Sequence, residues 1–170
     1  MMRLFIGVPP DRAAREALAE TAQRLREETS GRFSNPDLYH ITLAFLGETA
    51  ESNLPAILDS MRCGAAGLEP FSVSLGPVGC FGPVLWRGIE PATPLNGLAA
   101  ALRAALSAAN IRYDAKPFRA HITLARESRL PSRDLSLPSA RYPIETLTLF
   151  ESRRDGGALR YRPLGNVSLG

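Results

Sequence analysis

The only two histidines of the chain, His40 and His121, each begin a copy of the same five letters, HITLA. Side chains alternate between the two faces of a strand, so each histidine shares a face with the threonine two residues later, Thr42 or Thr123. Each copy therefore presents an imidazole beside a hydroxyl. Because an unperturbed imidazole has a pKa of about 6.5, two of them can supply one neutral base and one protonated acid near pH 7.

Paired imidazoles suit in-line displacement at phosphorus, where the attacking oxygen loses a proton and the leaving oxygen gains one. The two threonine hydroxyls would then stabilise charge on the non-bridging oxygens. This chemistry requires no metal. The two cysteines, Cys63 and Cys80, lack CxxC spacing and are expected to be reduced small core residues rather than zinc ligands or a disulfide. We therefore expect no metal and no cofactor.

A single His-x-Thr strand is more often structural than catalytic, but the surrounding sequence also repeats. A shift of 81 residues places HITLA on HITLA, and it also places RLFIGV (3–8) on VLWRGI (84–89). A helical stretch follows each of these strands. Chance recurrence of one strand phrase does not explain a strand, a helix and a motif at the same offset. We predict one domain over 1–170, made of two pseudo-repeated lobes at 3–45 and 84–126.

The secondary-structure pattern predicts an α+β fold with a cleft between two sheets and helices on their outer faces. We predict helices over Asp11–Thr29, Leu54–Met61 and Asn96–Asn110, further strands over 71–78, 142–152 and 159–169, and a loop over 128–141.

The two copies differ at the letter that follows HITLA, which is Phe45 in the first and Arg126 in the second. Arg126 is a candidate phosphate ligand. Strict alternation places it opposite His121, so this role requires a strand end or a bulge; the alternative is a solvent-facing arginine. Phe45 is predicted to lie in the core. Phe5 is a candidate for stacking on a nucleobase, and core packing is its alternative, as for its repeat mate Trp86.

The overall composition is that of a globular protein, with 45% hydrophobic and 22% charged residues and a net charge of +3. The basic residues are arginines except for Lys116. No apolar run is long enough to cross a bilayer, and the N-terminus does not read as a signal peptide. We expect a cytoplasmic monomer with no membrane association.

Several stretches together resemble the 2H phosphoesterase superfamily, and within it the bacterial and archaeal RNA 2′,3′-cyclic phosphodiesterase or 2′-5′ RNA ligase family. These stretches are RLFIGVPP, LYHITLAFLGE, VLWRGI, KPFRAHITLAR and LFESRRDGGALRYRPL. The resemblance implies two antiparallel sheets meeting at a cleft. It also implies metal-independent hydrolysis of RNA or nucleotide 2′,3′-cyclic phosphates to 2′-phosphates.

Carried over to this chain, the resemblance makes His40 and His121 the acid–base pair, with His121 favoured as the acid. It makes Thr42, Thr123 and Arg126 ligands of the phosphoryl group. Two alternatives stay open at this level. One is 2′-5′ RNA ligation by the same site, and the other is a nucleotide- or RNA-binding module without catalysis.

Overall fold

The computed structural model describes residues 1–170, which form three α-helices and nine β-strands. The helices are α1 (Arg12–Glu28), α2 (Leu54–Ala65) and α3 (Ala92–Ala108). The strands are β1 (Met2–Val8), β2 (Arg32–Phe33), β3 (Ile41–Thr49), β4 (Phe71–Phe81), β5 (Val84–Glu90), β6 (His121–Arg126), β7 (Arg141–Ile144), β8 (Thr146–Asp155) and β9 (Ala158–Ser168).

All strand pairs are antiparallel, and their order is β7-β4-β5-β6-β3-β1-β8-β9, with β2 added beside β6. The sheet has two halves, because β3 and β6 are joined through one residue pair, Ile41 with Ile122. Each half carries one HITLA segment at this junction. The predicted α+β class is confirmed, and the two predicted sheets are hydrogen-bonded into one curled sheet.

Helix α1 begins where the sequence indicates. The Asp11 carboxylate accepts a hydrogen bond from the backbone N–H of Ala14 at 2.9 Å, which caps the helix N-terminus. The helix buries one face, including Leu18 and Leu25. It packs against β6 and β7 of the half opposite to that of β1. The link to this second half includes a hydrogen bond of 2.8 Å from the buried Arg87 on β5 to Thr21.

Helix α3 follows β5 in the chain but packs against β3, a strand of the other half of the sheet. Three leucines spaced four residues apart, Leu98, Leu102 and Leu106, are fully buried. Arg103 on the same helix donates a hydrogen bond to the backbone carbonyl of Leu43 at 3.1 Å. The helices thus cover one face of the sheet and make the core there. The histidine-bearing face stays open.

The prediction of one strand over 142–152 is wrong in one respect, because this segment forms two strands that lie in different halves of the sheet. β7 pairs with β4 at one end of the sheet, whereas β8 pairs with β1 and β9. The chain crosses between the halves around Glu145, and the continuous alternating pattern gives no signal of that crossing. The segment before β7 has no helix or strand, as predicted.

The two cysteines are both free. Cys80 is half-buried and packs against the core, as predicted, but Cys63 is exposed on α2, so the prediction is wrong for Cys63. Cys63 lies on the outer face of the helix, next to the likewise exposed Arg62. None of the helices combines the length and apolar character that a membrane span requires.

Candidate active site

A single cleft of about 810 Å³ contains both histidines and both threonines of the HITLA segments. Burial of Ile41 and Leu43 in one copy, and of Ile122 and Leu124 in the other, turns the intervening side chains to this face. The lining residues are Arg3, Phe5, Arg32, Phe33, Ser34, Leu38, His40, Thr42, Phe45, His121, Thr123, Arg126, Ser152, Arg153, Arg154, Leu159 and Tyr161.

Both imidazoles are oriented in the same way. The Nδ1 of His40 lies 2.7 Å from the backbone carbonyl oxygen of Leu38, and the Nδ1 of His121 lies 2.6 Å from that of Arg119. A carbonyl oxygen can only accept, so Nδ1 carries the proton in each ring. The Nε2 atom of each neutral histidine is then left with its lone pair for a ligand in the cleft.

Burial lowers the pKa of both histidines. For His40 the hydrogen bond to Leu38 opposes this effect, while the charges of His121 and Arg126 lower the pKa further. For His121 the hydrogen bond to Arg119 is again opposed to burial, and Arg126 again lowers the pKa. Without a ligand, both rings are therefore neutral at pH 7.

A β-bulge in each HITLA strand brings the sixth residue to the cleft. On β3, Ile6 of β1 pairs with Ala44 and Gly7 with Thr42, so Leu43 is the extra residue. A bulge shifts the alternation by one position. Leu43 and Ala44 are consequently both buried, and Phe45 faces the cleft. The prediction that Phe45 lies in the core is wrong for this reason: it is half-buried, lines the cleft, and has the Arg3 guanidinium 4.8 Å from its ring centre.

The same bulge occurs on β6, at the position shifted by 81 residues. Leu85 of β5 pairs with Ala125 and Trp86 with Thr123, which leaves Leu124 as the extra residue. Arg126 is thereby exposed on the side of the cleft. The geometric requirement for a phosphate ligand at this position is met.

Aromatic rings pack against each imidazole. The ring centres of Phe5 and Tyr161 lie 4.6 and 5.2 Å from that of His40, and Phe150 stacks on Phe5 at 5.1 Å. Phe5 is only 3% exposed. With His40 and Phe150 against its ring, Phe5 has no open face for a nucleobase. The expected stacking role is therefore replaced by support of His40, closer to the core alternative.

The second histidine has an analogous support. Phe81 lies edge-on at 5.0 Å from His121, and Trp86, the repeat mate of Phe5, lies at 6.1 Å. These rings cover part of the imidazole, which is consistent with the pKa that burial lowers.

Gly7 is required next to His40. A Cβ atom at this position would lie 2.7 Å from the carbonyl oxygen of Ile41 and 3.4 Å from Cδ2 of His40. Only glycine lets β1 approach the start of β3 this closely.

The charged residues of the cleft lining, apart from the histidines, are all arginines: Arg3, Arg32, Arg126, Arg153 and Arg154. A cleft lined by one sign of charge concentrates anions. The chain as a whole carries a net charge of only +3, so the composition gave little sign of this concentration.

Sequence reasoning missed four of these arginines, and it missed Tyr161. For Arg153, Arg154 and Tyr161 the available signal lay in the stretch SRRDGGALRY, a strand–turn–strand pattern with arginines on both sides of a Gly-Gly turn. Its distance from the HITLA motifs along the chain hid the fact that it forms a wall of the same site.

The family model described as the 2′-5′ RNA ligase superfamily matches residues 9–156. An RNA 2′,3′-cyclic phosphodiesterase of Thermus thermophilus is 34% identical over 99% of this chain and 90% of that protein. The protein of the same name from Geobacillus stearothermophilus is 31% identical over 72% of this chain, an alignment that spans 41% of its own length.

Solved structures agree with these sequence comparisons. The crystal structure of Escherichia coli LigT without ligand has a TM-score of 0.80 and 29% identity, over 99% of this chain and 97% of LigT. The predictions of the family and of an enzyme of this hydrolase class are confirmed at that level. From its family match, its relatives and its fold, the chain belongs to the 2′-5′ RNA ligase superfamily.

Proposed function

We propose that this protein hydrolyses the 2′,3′-cyclic phosphate of RNA ends or nucleotides to a 2′-phosphate, without a metal ion. The observation that carries the proposal is the pair of oriented imidazoles in one arginine-lined cleft. The names of the relatives support the reaction class, and E. coli LigT has been crystallised with 3′-AMP. We propose a monomer, because one chain supplies every residue named in this reaction.

In the proposed reaction, His40 is the base and His121 the acid. A water oxygen attacks phosphorus and gives its proton to Nε2 of His40 as the new P–O bond forms. The P–O3′ bond breaks on the opposite side, and protonated His121 donates its Nε2 proton to O3′. The phosphate stays on O2′. The products leave His40 protonated and His121 neutral, and solvent exchange restores the starting states.

Thr42 and Thr123 are proposed to donate hydrogen bonds to the non-bridging oxygens, and Arg126 to neutralise the charge that develops there. Groups fixed on strands are held in place before the reaction, so little reorganisation is needed in the transition state. The pseudo-symmetric bulges explain how Arg126 reaches the same face as the histidines and threonines.

The lowered histidine pKa values predict a difference between two pH profiles. In the free enzyme His121 loses its proton at a pH below 6.5, so kcat/KM is expected to peak on the acid side of neutrality. The bound phosphodiester anion stabilises the imidazolium and raises the pKa, so the basic limb of kcat is expected to lie at higher pH. Initial rates measured from pH 4.5 to 9 check this order. A kcat profile displaced to lower pH than that of kcat/KM would contradict the electrostatic account.

The direct test of the proposed function uses a 2′,3′-cyclic mononucleotide in the presence of EDTA, with the product followed by phosphorus NMR. We expect undiminished turnover and a 2′-monophosphate as the product. Loss of the activity on chelation would contradict the metal-free reaction.

Addition of RNA with a free 5′-hydroxyl separates ligation from hydrolysis, because a 2′-5′ linked product would exceed the 2′-phosphate if joining were the main activity. Tight binding without any product would indicate a binding module.

A further inference from the structure

The end of the β8–β9 hairpin continues the wall of the cleft beyond the histidines. Gly156 and Gly157, with φ of 56° and 84°, form the two-residue turn that closes it. From Arg153 to Arg160 every residue is exposed, so this end of the hairpin projects from the body of the protein. It is nevertheless part of the cleft, because Arg154 and Leu159 are both lining residues.

Arg154 and Leu159 face each other directly across the two strands. The pair two residues closer to the sheet, Ser152 and Tyr161, lies on the same face, and Tyr161 contacts His40. The separation of two residues along a strand is about 7 Å. Arg154 and Leu159 therefore extend the wall that begins at His40, but lie beyond the rings that surround it.

Two features of this hairpin end are unusual for a surface without a ligand. Leu159 is one of three large hydrophobic residues that the chain exposes, with 37% of its surface accessible. Arg153 lies directly opposite Arg160, and like charges in this relation destabilise a strand pair. Closer to the sheet the arrangement is the opposite, since Arg162 forms an ion pair with Glu151 at 3.0 Å.

We propose that the hairpin end binds the RNA nucleotide adjacent to the one that carries the cyclic phosphate. Arg154 contacts its phosphate and the exposed face of Leu159 packs on its base. This inference rests on the proposed function, and it names single-stranded RNA of at least two nucleotides as the preferred substrate. The phosphate would add a negative charge to a hairpin end that carries three arginines, Arg153, Arg154 and Arg160, and a base would cover the exposed leucine.

The experiment compares a 2′,3′-cyclic mononucleotide with a tetranucleotide that ends in the same cyclic nucleotide. The readout is the ratio of kcat/KM for the longer substrate to that for the shorter one. Arg154→Gln and Leu159→Ser are each expected to lower this ratio by about five- to tenfold. For the tetranucleotide, Arg154→Gln is also expected to reduce the salt dependence of log(kcat/KM) by about 0.7, the value of one phosphate contact on a single strand.

Arg160→Gln is the matched control, because it removes the same charge from the same hairpin but does not line the cleft. We expect its ratio to stay within about twofold of the wild-type value. The inference is overturned if Arg154→Gln and Leu159→Ser both leave the ratio unchanged, or if Arg160→Gln lowers it as much as they do. A wild-type protein that turns over neither substrate would instead refute the proposed function itself.

Discussion

Replacement of either histidine by alanine is expected to lower kcat/KM by about 10³-fold or more, the upper range for loss of a general acid or base. His40→Ala leaves the attacking water without a proton acceptor, and His121→Ala leaves O3′ without a proton donor. Because the two act in one step, the double variant is expected to lose far less than the product of the two single losses. Steady-state rates on a 2′,3′-cyclic mononucleotide measure all three variants.

Both single variants are expected to fold, because each imidazole lies on the cleft side of its strand, away from the main core, and makes its one side-chain hydrogen bond to a local carbonyl. Circular dichroism and thermal unfolding provide the control. Glutamine in place of either histidine preserves much of the volume without the titratable nitrogen, and should be as inactive as alanine. A folded His121→Ala protein with more than a tenth of the wild-type rate would rule out the proposed role of His121.

Arg126→Gln is expected to lower kcat/KM by about 10²- to 10³-fold, the usual loss when a fixed donor to a developing charge is removed. It also has a readout that is independent of activity. The charge of Arg126 lowers the pKa of both histidines in the free protein. The variant should therefore show both imidazoles titrating at higher pH, which NMR of the ring protons measures without any substrate.

Two further variants separate charge from geometry at this position. Arg126→Lys keeps the charge but not the planar pair of donors, so we expect it to recover only part of the lost activity. Arg62→Gln, on the outer surface of α2, is the charge-matched control and should leave the rate within about twofold of wild type. If Arg126→Gln left both the rate and the histidine titrations unchanged, Arg126 would have no role at the phosphate.

Local pattern was sufficient to predict the elements on which the site depends. The helices predicted over Asp11–Thr29 and Asn96–Asn110 form as Arg12–Glu28 and Ala92–Ala108, because helical periodicity is a local signal. The pairing of the two HITLA segments could be predicted because the chain repeats itself at one offset. Repetition carries long-range information that a single motif does not.

The wrong predictions concern strand register and the points where the chain crosses between the two halves of the sheet. One extra residue in each HITLA strand reverses the faces of the residues directly after it, which moved Phe45 out of the predicted core and Arg126 into the cleft. A bulge depends on the neighbouring strand, so the strand's own letters do not reveal it. The hairpin that carries Arg154 and Tyr161 lies at the site because its strand β8 pairs with β1, which in turn pairs with β3. The sequence of the hairpin does not indicate that β1 is its neighbour.

The central claim is that the two histidines have opposite proton roles, and a substrate with sulfur in place of O3′ tests it directly. A thiolate leaves without protonation, so an acid is no longer required in that step. On this 3′-thio cyclic phosphate, His121→Ala is expected to recover to within about tenfold of the wild-type rate, while His40→Ala stays inactive. Rescue of neither variant, or rescue of His40→Ala alone, would contradict the assignment of His40 as base and His121 as acid.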